Sequence, residues 1–253
     1  MRLEQSFIQI PGIGRKTERT LWSNEFTDWR DDVDAAPIGP QKKAAIESFA
    51  ADATAELAAG NVRYFGDCLP SAAHWRLADT FETKVTAIDI ETTGLDPNRA
   101  VVTTVSVHDA RGSQTLVRDR DLTADRLASI FEEIDLLLSY NGAQFDLPFL
   151  HEHFATPIDI PHLDLRYPCR RVGLTGGLKA IEQELGISRD LPDVDGREAI
   201  SLWHRAERGD DTALERLIRY NQEDTETLFP VLSAVTRMLN QQEFLPYIGS
   251  TSD

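Results

Sequence analysis

An apolar segment at residues 85–95 carries two acidic side chains, and it constrains the fold more than any other stretch of the chain. Its sequence is Val-Thr-Ala-Ile-Asp-Ile-Glu-Thr-Thr-Gly-Leu. The β-branched residues and the closing glycine predict a buried strand that runs into a turn. Because side chains alternate along a strand, Asp89 and Glu91 are expected on one face, while the isoleucines beside them pack on the other.

Two neighbouring carboxylates in an apolar strand are costly, since each loses hydration and the two repel each other. A hard divalent cation with oxygen ligands would remove both penalties. The alternative is a strand end at which the two acids face water, and an isolated Asp-x-Glu pattern favours that alternative. A metal site is therefore predicted only if other acidic residues converge on the same place.

A third acidic residue, Asp146, follows the next buried strand. The apolar run at residues 136–140 predicts that strand, and residues 144–154 predict a helix with Asp146 in its first turn. An acid near a helix N-terminus can have a purely structural role, because it complements the helix dipole. Taken alone, Asp146 does not indicate a metal site.

A fourth acidic residue, Asp224, lies on a long helix predicted at residues 211–239. Tyr220 is four residues earlier, so the two side chains share one face of that helix. Leucines on the neighbouring faces predict that Asp224 points towards the core. Glu223 and Glu226 are expected to lie in solvent.

The order of predicted elements indicates an α/β fold. Strands at 100–107 and 114–117 form a hairpin after the first strand, and strands then alternate with helices, which predicts a mixed sheet with a central first strand and flanking helices. Before residue 80 the sequence predicts the start of a helix near residue 15, a helix at 41–59 and a connecting segment at 61–79. The predicted divisions are a helical N-terminal module (1–79), the α/β domain (80–240) and a C-terminal tail (241–253).

The acidic motifs resemble those of a known family. The segment from Asp89 (Asp-Ile-Glu-Thr-Thr-Gly-Leu), the segment from Asn141 (Asn-Gly-Ala-Gln-Phe-Asp) and Tyr220-x-x-x-Asp224 are similar to the three motifs of DEDD exonucleases, in the tyrosine variant. The histidine variant would need a histidine where Arg219 stands. Residues 162–187 further resemble the YprB-like branch of the RNase H-like nucleases. The resemblance covers about residues 80–240.

The resemblance implies an RNase H-like fold and a two-metal 3′–5′ exonuclease that releases nucleoside monophosphates. Asp89, Glu91, Asp146 and Asp224 would hold two Mg²⁺ or Mn²⁺ ions about 3.5–4 Å apart. Tyr220 would orient the attacking water through a hydrogen bond. It need not be deprotonated, because the metal supplies the acidity.

Single-stranded DNA is the favoured substrate, and three other activities are alternatives. Two are enzymatic: an RNA-trimming exonuclease and a structure-specific endonuclease. The third is an RNase H-like module that binds nucleic acid without cutting it. Discrimination between DNA and RNA depends on the shape of the pocket around the 2′-hydroxyl, on which the sequence is silent. The oligomeric state is likewise open.

Basic and polar residues near the motifs are candidate contacts to nucleic-acid phosphates. In the α/β domain they are Asn141, Arg166, Arg170, Arg171 and Lys179. The alternative for the four basic residues is a solvated surface or ion pairs within the chain.

The N-terminal segment at about residues 7–30 contains a Pro-Gly-Ile-Gly turn followed by the start of a helix. Two glycines allow backbone N–H groups to approach an anion closely. The segment resembles a helix-hairpin-helix element, and the resemblance implies phosphate contacts by Gly12, Gly14, Arg15 and Lys16. An ordinary packed helical corner is the alternative.

The chain carries a formal net charge of −16, with 24 Asp and only 5 Lys beside 21 Arg. Such a charge argues against a nucleic-acid partner at low salt. In molar salt the Debye length is only about 3 Å, so we hypothesise a high-salt source. A cytoplasmic location is expected, because there is no apolar run of membrane-spanning length, no apparent secretory leader and too few cysteines (two) for a disulfide framework.

Overall fold

The computed structural model describes residues 1–249, and the chain divides into two compact units. The first unit combines Met1–Glu82 with the described residues from Ala234 onward, and the second unit comprises Thr83–Ser233. Of the predicted tail, residues 250–253 lie outside the described residues. Within the described chain, no helix combines the length and the apolar character needed to cross a membrane.

The first unit is helical. Its three N-terminal helices are α1 (Arg15–Trp22), α2 (Pro40–Ala58) and α3 (Val62–Cys68). The prediction of a plain connecting segment at residues 61–79 is wrong, since it contains α3 and a 3₁₀ helix at Ser71–Leu77. The side chain of Asn61 accepts a hydrogen bond from the Tyr64 amide and so caps α3, which explains why a helix begins there.

A buried ion pair holds the N-terminal turns of this unit in place. Arg76 lies 2.6 Å from Glu18 of α1, and both side chains are almost completely buried. Glu18 also accepts hydrogen bonds from the backbone amides of Phe7 and Ile8. Arg76 donates to the hydroxyl of Ser6 as well. The segment before α1 is thus fixed by charge-assisted hydrogen bonds.

The second unit is built on a five-stranded sheet. Its strands are β1 (Val85–Thr92), β2 (Val102–Asp109), β3 (Gly112–Val117), β4 (Leu136–Ser139) and β5 (His162–Asp164). The strand order is β3-β2-β1-β4-β5, so β1 is central. The pairs β1–β2 and β2–β3 are antiparallel, whereas β1–β4 and β4–β5 are parallel. The predicted α/β class with a mixed sheet and a central first strand is confirmed.

Helices surround this sheet, and the last of them runs past Ser233, the final residue of the second unit. They are α4 (Ala124–Glu132), α5 (Asp146–Phe154), α6 (Arg166–Arg171), α7 (Leu178–Leu185), α8 (Gly196–Ala206), α9 (Asp211–Glu226) and α10 (Leu228–Glu243). The prediction of one helix over 211–239 is wrong, because α9 and α10 are separated at Thr227. Pro230 lacks the N–H that would bond to Glu226, and its ring clashes with that carbonyl.

The two faces of β1 have different neighbours. Ile88 and Ile90 belong to a buried apolar cluster with Leu127 of α4 and Phe149 of α5. On the other face, α9 packs against β1, β2 and β3, and α8 packs against α9. Strand alternation therefore turns the acidic side chains of β1 towards α9 rather than into the apolar cluster.

Candidate active site

Four carboxylates converge beside the central strand. Oxygen atoms of Asp89, Glu91 and Asp224 all lie within 4.8 Å of one another. Asp146 is the first residue of α5, and its Oδ1 accepts a hydrogen bond of 3.2 Å from the amide of Ile90, between the two β1 acids. The structure thus brings together all four predicted metal ligands from three separate elements.

The loop between β4 and α5 delivers Asp146 through tight local packing. A Cβ atom at Gly142 would lie 2.3 Å from the Ser139 hydroxyl oxygen, so only glycine fits there. Asn141 has a positive φ of 66°. Buried Asp164 accepts hydrogen bonds from the amides of Asn141 and Ala143. These contacts fix the backbone immediately before Asp146.

Tyr220 and Asn221 reach the cluster from α9. The Nδ2 atom of Asn221 donates to Oδ2 of Asp89 at 2.7 Å, and Asn221 is fully buried. The ring of Tyr220 lies 5.1 Å from the ammonium of Lys179. Sequence reasoning missed Asn221, although its place three residues before Asp224 puts both on one side of a helix.

The carboxylates have perturbed proton affinities. Loss of water, followed by repulsion from the neighbouring acids, holds the pKa values of Asp89 and Glu91 well above their ordinary range. Burial raises the pKa of Asp146 to about 7 and that of Asp224 to about 6, with Arg189 opposing the shift at Asp224. Burial and the charge of Asp224 also raise the pKa of Tyr220, so its hydroxyl remains protonated at neutral pH.

Arg189 is a buried cation in direct contact with Asp224, one of the four acids, and sequence reasoning missed it. Its Nη2 lies 2.5 Å from Oδ1 of Asp224. Its Nε and Nη2 donate to Glu182 of α7 at 2.5 and 2.7 Å. The side chains of Arg189 and Glu182 are only 5% and 1% exposed. The acidic cluster thus contains a buried counterion.

The expectation that Glu223 and Glu226 lie in solvent is wrong. Glu223 is buried and accepts hydrogen bonds from the amides of Asp190 and Leu191. It therefore fastens the loop that carries Arg189. Glu226 is half-buried and pairs with Arg219 at 2.9 Å.

The candidate nucleic-acid contacts of the second unit have different surroundings. Arg166 donates to the side-chain oxygens of Asn141 and Gln144. Arg170 is exposed and Arg171 is half-buried. Lys179 donates to the carbonyl of Val194 while its ammonium lies over Tyr220. Within this set, Lys179 contacts Tyr220, which shares one side of α9 with Asp224.

The candidate contacts of the first unit lie at the start of α1. Gly12, Gly14 and Lys16 are exposed, and Arg15 lies 3.4 Å from Glu243 of the same unit. Lys16 and Lys42 line a groove of about 680 Å³. This segment contains a single α-helix, preceded by turns.

The donor set of the acidic cluster fits divalent cations. All four side chains offer oxygen atoms, which hard cations such as Mg²⁺ and Mn²⁺ prefer. Burial, and after it their mutual repulsion, raises the pKa values of Asp89 and Glu91, and a bound cation would relieve that repulsion. The second unit is therefore an α/β domain with a candidate divalent-metal site beside the central strand of its sheet.

The chain belongs to the RNase H superfamily. The family model described as "RNase_H superfamily" matches residues 87–236, which is more than half of the chain. The matched range contains Tyr220 and all four acids. No curated protein matches the chain.

Solved structures show weaker likenesses. The EXO domain of Aedes aegypti Nibbler is 14% identical over 66% of this chain and 84% of that chain, with a TM-score of 0.47. NrnC of Brucella melitensis is 22% identical over 70% and 92%, with a TM-score of 0.36. A family B DNA polymerase from Pyrobaculum calidifontis is 18% identical over 65% of this chain, with a TM-score of 0.45, and only 28% of the polymerase is spanned. The family assignment rests on the match over residues 87–236.

Proposed function

We propose that the protein is a metal-dependent 3′–5′ exonuclease of the DEDD type, in the tyrosine variant and the YprB-like branch. It hydrolyses phosphodiester bonds of nucleic acid, with single-stranded DNA as the favoured substrate. The observation that carries the proposal is the convergence of Asp89, Glu91 and Asp224 within 4.8 Å in a chain of the RNase H superfamily.

In this proposal Asp89, Glu91, Asp146 and Asp224 hold two divalent cations, Mg²⁺ or Mn²⁺. When bound, the cations supply Lewis acidity and lower the pKa of a water molecule. The side chains contribute placement, since Asn221 fixes the orientation of Asp89 through its hydrogen bond.

Tyr220 acts as a hydrogen-bond donor in the proposed mechanism. Burial raises the pKa of its hydroxyl, so the proton stays on the oxygen and is available to orient water. Its ring packs in an apolar cluster with Leu214 and Leu217 of α9 and with Trp203 of α8. This packing fixes the position of the hydroxyl oxygen.

Contacts to the nucleic-acid backbone are proposed at two places. In the second unit they are Asn141, Arg166, Arg170, Arg171 and Lys179. In the first unit they are Gly12, Gly14, Arg15 and Lys16, in the segment predicted to resemble a helix-hairpin-helix element. The Lys16→Gln variant tests the contacts proposed in the first unit. Loss of one phosphate contact should lower the slope of log affinity against log salt concentration by about one. An unchanged slope would show that Lys16 does not contact the nucleic-acid backbone.

Two substitutions on α9 test the assignment of roles. Asp224→Asn removes one negative charge from the metal site, so both Mn²⁺ affinity and cleavage rate should fall. Tyr220→Phe keeps the ring and every carboxylate, so Mn²⁺ affinity should stay close to wild type while the rate falls by roughly 10²–10⁴. Calorimetric Mn²⁺ titration and single-turnover cleavage measure the two effects. Full activity of the phenylalanine variant would exclude Tyr220 from the chemistry.

A substrate panel separates the proposal from its alternatives. Single- and double-stranded DNA and RNA are incubated with Mg²⁺ or Mn²⁺, and mononucleotide release is measured over time. Release from 3′ ends of single-stranded DNA supports the proposal. Release from RNA alone indicates the RNA-trimming alternative, internal cuts indicate an endonuclease, and binding without any release indicates a non-catalytic module.

A further inference from the structure

Arg189 has one hydrogen-bonding group that nothing in the described chain satisfies. Its side chain is 95% buried, and its Nε and Nη2 atoms are engaged by Glu182 and Asp224. Its Nη1 is buried and has no partner among the described residues. Buried N–H groups are rarely left without an acceptor, because losing water without a replacement costs free energy.

The planar geometry of the guanidinium gives the position of this free group relative to Asp224. Nε and Nη2 share one edge of the fork, and that edge meets Glu182. Nη1 is bonded to the same carbon as Nη2. Since Nη2 lies 2.5 Å from Oδ1 of Asp224, the unpaired Nη1 lies close to the acidic cluster.

Formal charges around the cluster leave room for one anion once cations are bound. Asp89, Glu91, Asp146, Asp224 and Glu182 carry five negative charges, which Lys179 and Arg189 reduce to three. Two divalent cations would turn this into one positive charge. A single phosphodiester group, with one negative charge, would make the assembly neutral.

We infer that Arg189 is a phosphate-binding residue of the active site, whose Nη1 donates to a non-bridging oxygen of the phosphate that is cut. The inference rests on the proposed nuclease function. Glu182 and Asp224 hold the guanidinium in place, so its unpaired Nη1 is preorganised for an anionic oxygen. Arginine suits this role better than lysine, because its rigid fork can bind two protein carboxylates and still present a further donor.

Equilibrium binding of a nucleoside 5′-monophosphate to the Mn²⁺-loaded protein tests the inference without depending on cleavage. The variant Arg189→Lys keeps the positive charge near Glu182 and Asp224 but loses the forked donors. Arg111→Lys is the matched control, because Arg111 also pairs with two carboxylates, Asp109 and Glu133, at the turn between β2 and β3. We expect nucleotide affinity to fall roughly 10- to 100-fold for Arg189→Lys and to stay unchanged for Arg111→Lys.

The Mn²⁺ affinity of the metal-free protein distinguishes phosphate binding from competition with the metal. It should remain close to wild type in Arg189→Lys. Two results for Arg189→Lys would overturn the inference. One is an unchanged nucleotide affinity. The other is a strong rise in both Mn²⁺ affinity and nucleotide affinity, since Arg189 would then only oppose cation binding. Wild-type protein that neither binds nucleotide nor cleaves DNA would instead refute the proposed function.

A measurement on the wild-type protein covers the case in which Arg189→Lys does not fold. For this measurement diamagnetic Mg²⁺ replaces Mn²⁺, and ¹⁵N spectra of the arginine side chains are recorded. Addition of the nucleoside 5′-monophosphate should shift the signal of one buried guanidinium. The corresponding nucleoside, which lacks the phosphate, should leave that signal in place. Equal spectra with both compounds would contradict phosphate binding by Arg189.

Discussion

Asp146 is expected to destabilise the metal-free fold at neutral pH. Its carboxyl is buried, and burial raises its pKa from the ordinary 3.8 to about 7. A raised carboxyl pKa means that the folded state holds the proton more tightly than the unfolded state does. The free energy of unfolding therefore falls as pH rises from about 4 to about 7, and the loss is complete above that range.

The size of the effect follows from the shift. Each pKa unit corresponds to 1.36 kcal/mol, so a change from 3.8 to about 7 corresponds to about 4 kcal/mol of destabilisation at pH 8. Asp146→Asn removes the ionisable group, and its amide oxygen can still accept the hydrogen bond from Ile90. The variant should be up to about 4 kcal/mol more stable than wild type at pH 8, with no difference below pH 4.

Urea unfolding in the presence of a chelator, repeated from pH 4 to pH 8, measures this difference. Asp164→Asn is the matched control, because buried Asp164 accepts hydrogen bonds from three backbone amides, those of Asn141, Ala143 and Arg166. Loss of a charge-assisted bond should destabilise that variant by about 1.5–3 kcal/mol. Destabilisation by Asp146→Asn at pH 8 would refute the reasoning, because the charged carboxylate would then be stabilised by the fold itself.

Addition of metal should narrow the stability difference between wild type and Asp146→Asn at pH 8. Ligand that binds only the folded state stabilises it by RT ln(1 + [L]/Kd), which is about 2.7 kcal/mol at a concentration of 100 Kd. Mn²⁺ should therefore stabilise wild type and have little effect on Asp146→Asn, which lacks one ligand charge. Equal stabilisation of both proteins would exclude Asp146 from the metal site.

Two further perturbations test the loop and the charge of the chain. Gly142→Ala should lower the free energy of unfolding by about 1–3 kcal/mol through overpacking against Ser139, and it should weaken Mn²⁺ binding. Gly196→Ala is the control and should be nearly neutral, because nothing lies within 4 Å of a Cβ atom at that position. Equal urea midpoints for the two variants would contradict this prediction. The free energy of unfolding should rise with KCl concentration, because screening weakens the repulsion within a chain of net charge −16, and a value independent of KCl would count against a high-salt source.

The parts of the fold that follow from short-range periodicity were predictable from the sequence. Alternation along β1 places Asp89 and Glu91 on one face, and the four-residue spacing of Tyr220 and Asp224 places them on one side of α9. The break before α10 was missed even though Pro230 marks it. The apolar neighbours of Pro230 continue the helical pattern across it, so periodicity alone predicts one long helix.

Contacts made by loops were not predictable in this way. Glu223 is next to Asp224 in a helix turn whose polar sequence predicts exposure to solvent. The local sequence gives no sign that the backbone amides of Asp190 and Leu191 cover its side chain. Arg189 lies in the same irregular segment, seven residues after its partner Glu182 and thirty-five residues before its partner Asp224. Only the tertiary fold brings such distant groups together.

The missed residues have a common physical origin. Four neighbouring carboxylates repel one another strongly. The surrounding fold must therefore supply hydrogen-bond donors and positively charged side chains that hold the acids close together before any metal ion binds. Asn221 does this for Asp89, and Arg189 does it for Asp224. Both compensating groups are common surface residue types, and neither type stands out in a sequence. The acids of such a site can therefore be identified from their spacing, whereas the groups that make their spacing tolerable can be identified only once the neighbouring elements are in place.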